Sequence, residues 1–175
     1  MLLLLFGIEE GFVKEKGEEL VKVFMQALLN ELEGAIKEKG LVNAVSYCSE
    51  RALPITDSLS KAYNVSIKRT SFNYRNPKNK PDKYEAKALK YFENKVKKGE
   101  KPEYYIQTFK RDGKTVYRFY KPLFVRPLCL NCHGIEGKNI PKNVLEEILK
   151  RYPKDRARGY SVDNFRGVIR VEFVE

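Results

Sequence analysis

The 175 residues include no tryptophan, two methionines, three cysteines and a single histidine. With one imidazole, any metal site must find its other ligands among the few thiols and thioethers or among oxygen and amine donors. No apolar run approaches the roughly 20 residues that a membrane-spanning helix takes. There is no internal repeat, no low-complexity tract, and no helix-turn-helix, zinc-finger or aromatic RNA-binding signature to go with the basic charge. About two-fifths of the residues are apolar, the aromatics are well spread, and the length suffices for one domain with a real core. The abundance of Lys, Glu, Ile and Val beside scarce Met and absent Trp leans toward a thermophile.

Three of the four scarce sulfur and imidazole groups outside methionine fall together, in Cys129-Leu130-Asn131-Cys132-His133. C-x-x-C-H is the spacing of covalent c-type haem attachment. Two thiols reach the two vinyl groups of one porphyrin, and the adjacent imidazole becomes the proximal iron ligand. One covalent haem c is therefore the expected cofactor. A structural Cys₃His zinc set from Cys48, Cys129, Cys132 and His133 competes with it, but Cys48 stands alone and His133 abuts Cys132, unlike the paired spacings of zinc loops. A thioredoxin-like dithiol would open a helix in a βαβ setting, whereas this run lies between a strand-like segment ending at Pro127 and Gly134.

The net charge is +11, with many lysines between Lys68 and Lys101. They alternate with Glu and Asp, so a solvated face explains most of them, and nucleic acid is not the expected partner. The functional alternatives are steering toward an acidic redox partner and pairing with haem propionates. Covalent haem attachment takes place outside the cytoplasm, so a periplasmic or other extracytoplasmic location is expected. Residues 1–6 are apolar but lack a basic flank, and Glu9-Glu10 follow at once. They read equally as the stub of a signal peptide or membrane anchor and as the leucine-rich first turn of a helix.

Apolar positions from Leu20 to Ile36 recur at three- and four-residue spacing and predict an amphipathic helix from about Gly11 to Gly40. A second helix is expected from Leu41 or Val42 through Cys48 to about Ser60, broken or bent at Pro54. Then come a strand over Val65 to Phe72, a loop over Asn73 to Asp82, and a helix capped by Asp82 and stopped by Gly99. Tyr104 to Lys110 and Thr115 to Val125 flank Asp112-Gly113 as a β-hairpin. A short helix to Arg151, a turn-rich stretch to Tyr160 and a last strand from Phe165 to Val174 complete the chain. The expected class is α+β, an antiparallel sheet with flanking helices and a long N-terminal helix, divided into a helical extension (1–40) and a haem-binding domain (41–175).

With no second histidine, the remaining axial position falls to Met25 or Cys48, or to a lysine, a tyrosine, water or an open site. Met25, beside Phe24 and Leu28, suits a helix seam. A lone cysteine on an apolar helix face is ordinarily a small buried hydrophobe, but beside a haem motif Cys48 becomes the stronger ligand candidate. Arg69, Arg75 and Arg126 are candidates to fork onto the propionates, and Tyr84 and Tyr152 to line the pocket, with loop or core packing as the alternative for each.

Several separated pieces occur in consistent order from about Gly40 onward: Cys48 within Ala44-Val45-Ser46-Tyr47-Cys48, Arg69-Thr70-Ser71, Arg75-Asn76-Pro77-Lys78-Asn79, Pro81-Asp82-Lys83-Tyr84-Glu85, the Cys129 to Gly134 run, Tyr152-Pro153-Lys154-Asp155, Gly159-Tyr160 and Arg166-Gly167. Together they resemble the Tll0287-like (DUF3365) haem domains. One segment departs from the family, which usually shows Gly-Asp before a basic residue and Gly where this chain has Asp163-Asn164-Phe165-Arg166-Gly167. The resemblance implies a PAS-like sensor fold with a His/Cys axial pair: Cys129 and Cys132 as thioether anchors, His133 proximal and Cys48 distal. A redox or gas sensor is then expected, with a soluble electron-transfer cytochrome as the rival and no enzymatic turnover.

Overall fold

A glycine turns the long N-terminal amphipathic run back on itself. The computed structural model describes residues 2–175, with side chains from residue 10 onward, so the side chains of the apolar start at 1–6, read as either an export stub or a first helical turn, lie outside the described ones. Helix α1 (Leu2–Ala62) leaves helical geometry at Gly40 alone, with φ 74° and ψ 170°, a conformation open to glycine and strained for other residues. The two arms fold together as a hairpin. Asn43 Nδ2 donates to Lys39 O at 2.9 Å and caps the first arm, and Arg51 lies 3.6 Å from Glu31 across the pair. Pro54 does not break the second arm. The carbonyl it leaves without a donor is that of Glu50, an exposed residue, where water can satisfy it.

After α1 come β1 (Ser66–Thr70), α2 (Lys83–Lys97), β2 (Tyr105–Arg111), β3 (Lys114–Phe124), α3 (Leu130–His133), α4 (Lys142–Arg151) and β4 (Phe165–Val174). The strands form one antiparallel sheet in the order β1-β4-β3-β2. The hairpin turns at Asp112 and Gly113, both at positive φ. The class is α+β with a long N-terminal helix, as the element pattern predicts.

Each strand alternates its side chains between two faces. One face carries Ile67, Tyr117, Phe119, Ile169 and Val171, which pack with Val13, Leu20, Val21 and Phe24 from the first arm of α1. Residues before Gly40, read from the sequence as a helical extension, thus supply four of the nine buried side chains of this cluster among the described residues. The approach is close: a Cβ on Gly17 would sit 2.3 Å from Phe119 Cγ. The other face carries Tyr120 and Val168 under Ala88, Leu89 and Phe92 of α2. That helix begins with a reciprocal cap, Asp82 accepting from the Tyr84 and Glu85 amides while Glu85 accepts from the Asp82 amide.

Candidate functional site

The Cys-x-x-Cys-His run leaves β3 through Val125 and Pro127 and is held by a loop that follows α4. Asp155, whose side chain is fully buried, takes Arg75 through Nε at 3.1 Å and Nη2 at 3.2 Å. The same Arg75 Nη2 donates to Cys132 O at 2.6 Å. Asp155 Oδ1 also accepts from the Ala157 amide at 3.0 Å, which aims Ala157 O at the imidazole. Gly159 N–H and Tyr160 N–H bond Gly134 O and His133 O at 2.8 and 3.0 Å. Gly134 is packed so closely that a Cβ would lie 2.5 Å from Asn139 Cβ. The pieces Arg75, Tyr152 to Asp155 and Gly159-Tyr160 therefore converge on one turn.

His133 Nδ1 lies 2.6 Å from Ala157 O. A carbonyl can only accept, so Nδ1 carries the proton and Nε2 is left with its lone pair. Burial, with the positive charges of Arg166, Arg75 and Arg69 nearby, holds the ring's pKa well below the usual histidine value. The ring is therefore neutral and oriented through its second nitrogen, the state in which imidazole binds metal.

His133, Cys129 and Cys132 line a cavity of about 320 Å³ between the α1 hairpin and the sheet, within the roughly 300–1,000 Å³ range of small-molecule sites. One wall is apolar: Met25, Leu28, Leu32 and Ile36 from the first arm, and Leu41, Ala44, Val45 and Ala52 from the second. Cys48 belongs to this wall, and its thiol pKa is raised by burial and by the neighbouring Cys132. Burial likewise raises that of Cys132, against the pull of Arg75. The opposite wall is cationic, with Arg69, Arg75 and Arg166 beside Tyr74 and Tyr152.

The three arginines differ. Arg75 is committed to Asp155 and Cys132 O. Among the described residues neither Arg69 nor Arg166 has a carboxylate within ion-pair distance, and Arg166 Nε is buried without a hydrogen-bond partner. Burial and mutual repulsion depress the pKa of Arg69, and burial that of Arg166. Two half-buried cations short of counter-charge, facing an apolar wall across a cavity with three thiols and a neutral imidazole, fit an apolar planar ring carrying an anionic edge and a metal.

The structure therefore brings Cys48, Cys129, Cys132, His133, Arg69, Arg75 and Tyr152 to one cavity. It places Arg126 and Tyr84 elsewhere. Arg126 is exposed where the 3₁₀ turn Pro127–Cys129 begins. Tyr84 stacks on Phe109 at 3.7 Å between centroids, on the α2 side of the sheet. Among the described residues no three Cys, His, Asp or Glu side chains gather closely enough for one metal ion, so the Cys₃His zinc set is not assembled. No described helix is long and apolar enough to cross a membrane.

Arg166 was not singled out by the sequence, since strict alternation along β4 puts it with Val168 and Arg170 on the α2 face. A bulge overrides that alternation: Leu123 faces Gly167 and Phe124 faces Phe165, leaving Arg166 as the extra residue. Gly167 has φ 149°, and a Cβ there would lie 2.4 Å from Thr70 O, so only glycine fits. Phe165 consequently joins the α2 face, stacked with Phe92, while Arg166 turns to the cavity.

The family model described as Tll0287-like matches residues 11–173, and the chain belongs to that family. No curated protein matches the chain. Among solved structures, the crystal structure of the cyanobacterial heme-protein Tll0287 aligns with a TM-score of 0.64 at 23% identity, covering 91% of this chain and 94% of that one, a likeness of fold.

Proposed function

We propose that this member of the Tll0287-like family is a mono-haem c-type cytochrome domain, with Cys129 and Cys132 as thioether anchors, His133 as proximal ligand and Cys48 as distal ligand. The observation that carries it is the joint placement, at one cavity, of the two thiols, an imidazole held in the Nε2-accepting tautomer, and Cys48 on the facing helix. The fold neighbour is itself a heme-protein. The apolar helical wall suits the ring, and Arg69 and Arg166 suit the propionates better than Arg75, which Asp155 already engages. Bound there, the group would supply one-electron redox chemistry at an iron whose potential a thiolate ligand holds low.

The residues around Cys48 favour a redox or gas sensor. Burial raises the thiol's pKa, so a Cys48 sulfur not held as thiolate keeps its proton at neutral pH. Cys48 also rides the second arm of α1, whose first arm is bonded into the sheet core. A change in the state of the sulfur is thereby tied to the position of a long helix. The net charge of +11 favours electron transfer to an acidic partner as the second reading. Covalent attachment implies an extracytoplasmic location, and no catalytic turnover is assigned.

The test is a set of oxidised and reduced optical spectra of protein matured in a periplasmic system, for the natural sequence and Cys48→Ala. A covalent haem spectrum whose ferric bands change in Cys48→Ala supports His/Cys ligation. Spectra indifferent to Cys48 would reject it in favour of Met25 or an open site, and a haem-free protein would reject the whole proposal. Partner exchange that is fast, strongly slowed by salt and without change of ligation would favour the electron-transfer reading.

A further inference from the structure

Cys48 does not reach the cavity by packing alone. Its helix is gripped from the side by α4, and one residue makes most of the grip. Arg151, in the last turn of α4, donates through Nε to Ser46 Oγ at 3.1 Å and to Glu147 Oε1 at 2.7 Å, and through Nη1 to Ser49 Oγ at 2.9 Å and to Glu50 Oε1 at 3.0 Å. Ser46 Oγ closes the cluster by donating to Glu147 Oε1 at 2.5 Å. At 3.6 residues per turn, Ser46, Ser49 and Glu50 lie about 100–160° around the helix from Cys48. The clasp therefore holds the flank and back of the turn whose front presents the thiol.

Beneath the clasp runs an apolar seam. Val45 packs with Ile140, Val144 and Ile148, and Cys132 packs against the same cluster. Helix α4 is thus the common reference for both thiol-bearing segments: it supports the attachment turn at Cys132 and holds the Cys48 helix through Arg151. The seam sets the distance between helices, but an apolar contact lets one helix slide or rotate on another. Directional bonds from one planar guanidinium to Ser46, Ser49 and Glu50 on one helix remove that freedom.

We infer that Arg151 is a positioning residue for Cys48, setting the rotation and height of the second arm of α1 so that the sulfur is presented opposite His133. The inference rests on the proposed role of Cys48 as an axial ligand. Arg151 itself touches neither the ring nor the iron in this arrangement.

The experiment uses periplasmically matured holoprotein of the natural sequence, Arg151→Ala, Arg151→Lys, Ser49→Ala and Cys48→Ala, with ferric optical and electron paramagnetic resonance spectra and a thermal melt for each. Arg151→Ala is expected to keep its covalent haem but lose most of the thiolate signature, moving toward the Cys48→Ala spectrum. Arg151→Lys, which keeps the charge without the fork, is expected to recover part of it. A ferric spectrum of Arg151→Ala identical to the natural protein, with only the melting temperature lowered, would overturn the inference and leave Arg151 a structural clasp. If Arg151→Ala does not fold, Ser49→Ala removes one bond of the cluster and decides in the same way: a partial loss of the thiolate signature supports the role, and an unchanged one overturns it. A Cys48→Ala spectrum identical to the natural protein would instead show that the axial role of Cys48 itself had failed.

Discussion

Both faces of the sheet draw arginines away from water, fully on the α2 face and partly on the cavity face, and they do so under opposite conditions. On the α2 face Arg118 meets Glu172 at 2.6 Å and Asp82 at 2.8 Å, and Arg170 meets Glu85 at 3.1 Å, while Lys68 also reaches Glu85 at 2.6 Å. Each charge taken from water there finds a fixed opposite charge. On the cavity face Arg69 and Arg166 have no carboxylate among the described residues. The paired set specifies how α2 sits on the sheet, and the unpaired set marks where counter-charge must come from outside the chain.

The largest effect should come from breaking the paired side. Glu85→Ala leaves Lys68 without its partner and Arg170 with only its 3.5 Å contact to Glu172, and removes one half of the reciprocal cap of α2. A loss of about 3–5 kcal/mol is expected, read as a lowered denaturant midpoint. A loss under about 1 kcal/mol would mean that water already screens the network.

Next in size is Gly167→Ala. The residue's φ of 149° and its 2.4 Å approach to Thr70 O leave no room for a side chain. Strain and displacement together should cost roughly 2–4 kcal/mol, and straightening of the bulge would withdraw Arg166 from the cavity. Equal stability and equal haem loading in the variant would show that the bulge is not what aims Arg166.

The cavity face should also respond to pH in the haem-free protein. Because the folded pKa of His133 lies well below the usual 6.5, the unfolded chain takes up a proton where the folded one does not. Stability is therefore full above pH 6.5 and declines as pH falls below it, by at most about 1.4 kcal/mol per pH unit. His133→Leu should flatten that limb. A further decline should remain at lower pH from Asp82 and Glu172, whose pKa values are held low despite burial, by the Glu85 amide and Arg118 in one case and by Arg111 and Arg118 in the other. An unchanged slope in His133→Leu would place the titration elsewhere.

Arg166→Leu should produce the smallest change in stability, and of opposite sign to Glu85→Ala. Removing a half-buried charge that, among the described residues, no carboxylate balances and that has only Tyr160 against it should leave haem-free stability unchanged or raise it by about 1 kcal/mol, while the yield of haem-loaded protein falls. A loss of several kcal/mol would mean that Arg166 has a structural partner and that the two faces are alike.

The local signals in the chain were read correctly from short spans. Asp82 and Glu85 cap α2, Asp112-Gly113 turns the hairpin, and Gly40 ends the first amphipathic run, because each depends on φ/ψ preference or on groups three residues apart. Of the two outcomes expected at Pro54, a break or a bend, the break does not occur, since whether the carbonyl of Glu50 that it leaves unpaired faces water is not written in the sequence. What residues 1–40 pack against is not written in the sequence for a related reason: an amphipathic stripe shows that a helix buries one face, not what it buries it against. Among the site residues, the face on which Tyr84 lies was not legible, because an aromatic at the start of a helix suits either side of a sheet.

By itself the sequence determined the chemistry on offer. Two thiols and the only imidazole lie within five residues, a third thiol sits on a helix, and basic residues exceed acidic ones by eleven. Covalent spacing is a local property and survives any fold. Only the tertiary structure decided which arginine is spent on Asp155 and which are left without a carboxylate, that His133 donates its Nδ1–H to Ala157 O, and that Arg166 turns to the cavity through a bulge at Gly167. Those are contacts between residues 24 to 80 or more positions apart, or consequences of strand register. They depend on how the sheet and helices pack, which no local preference encodes.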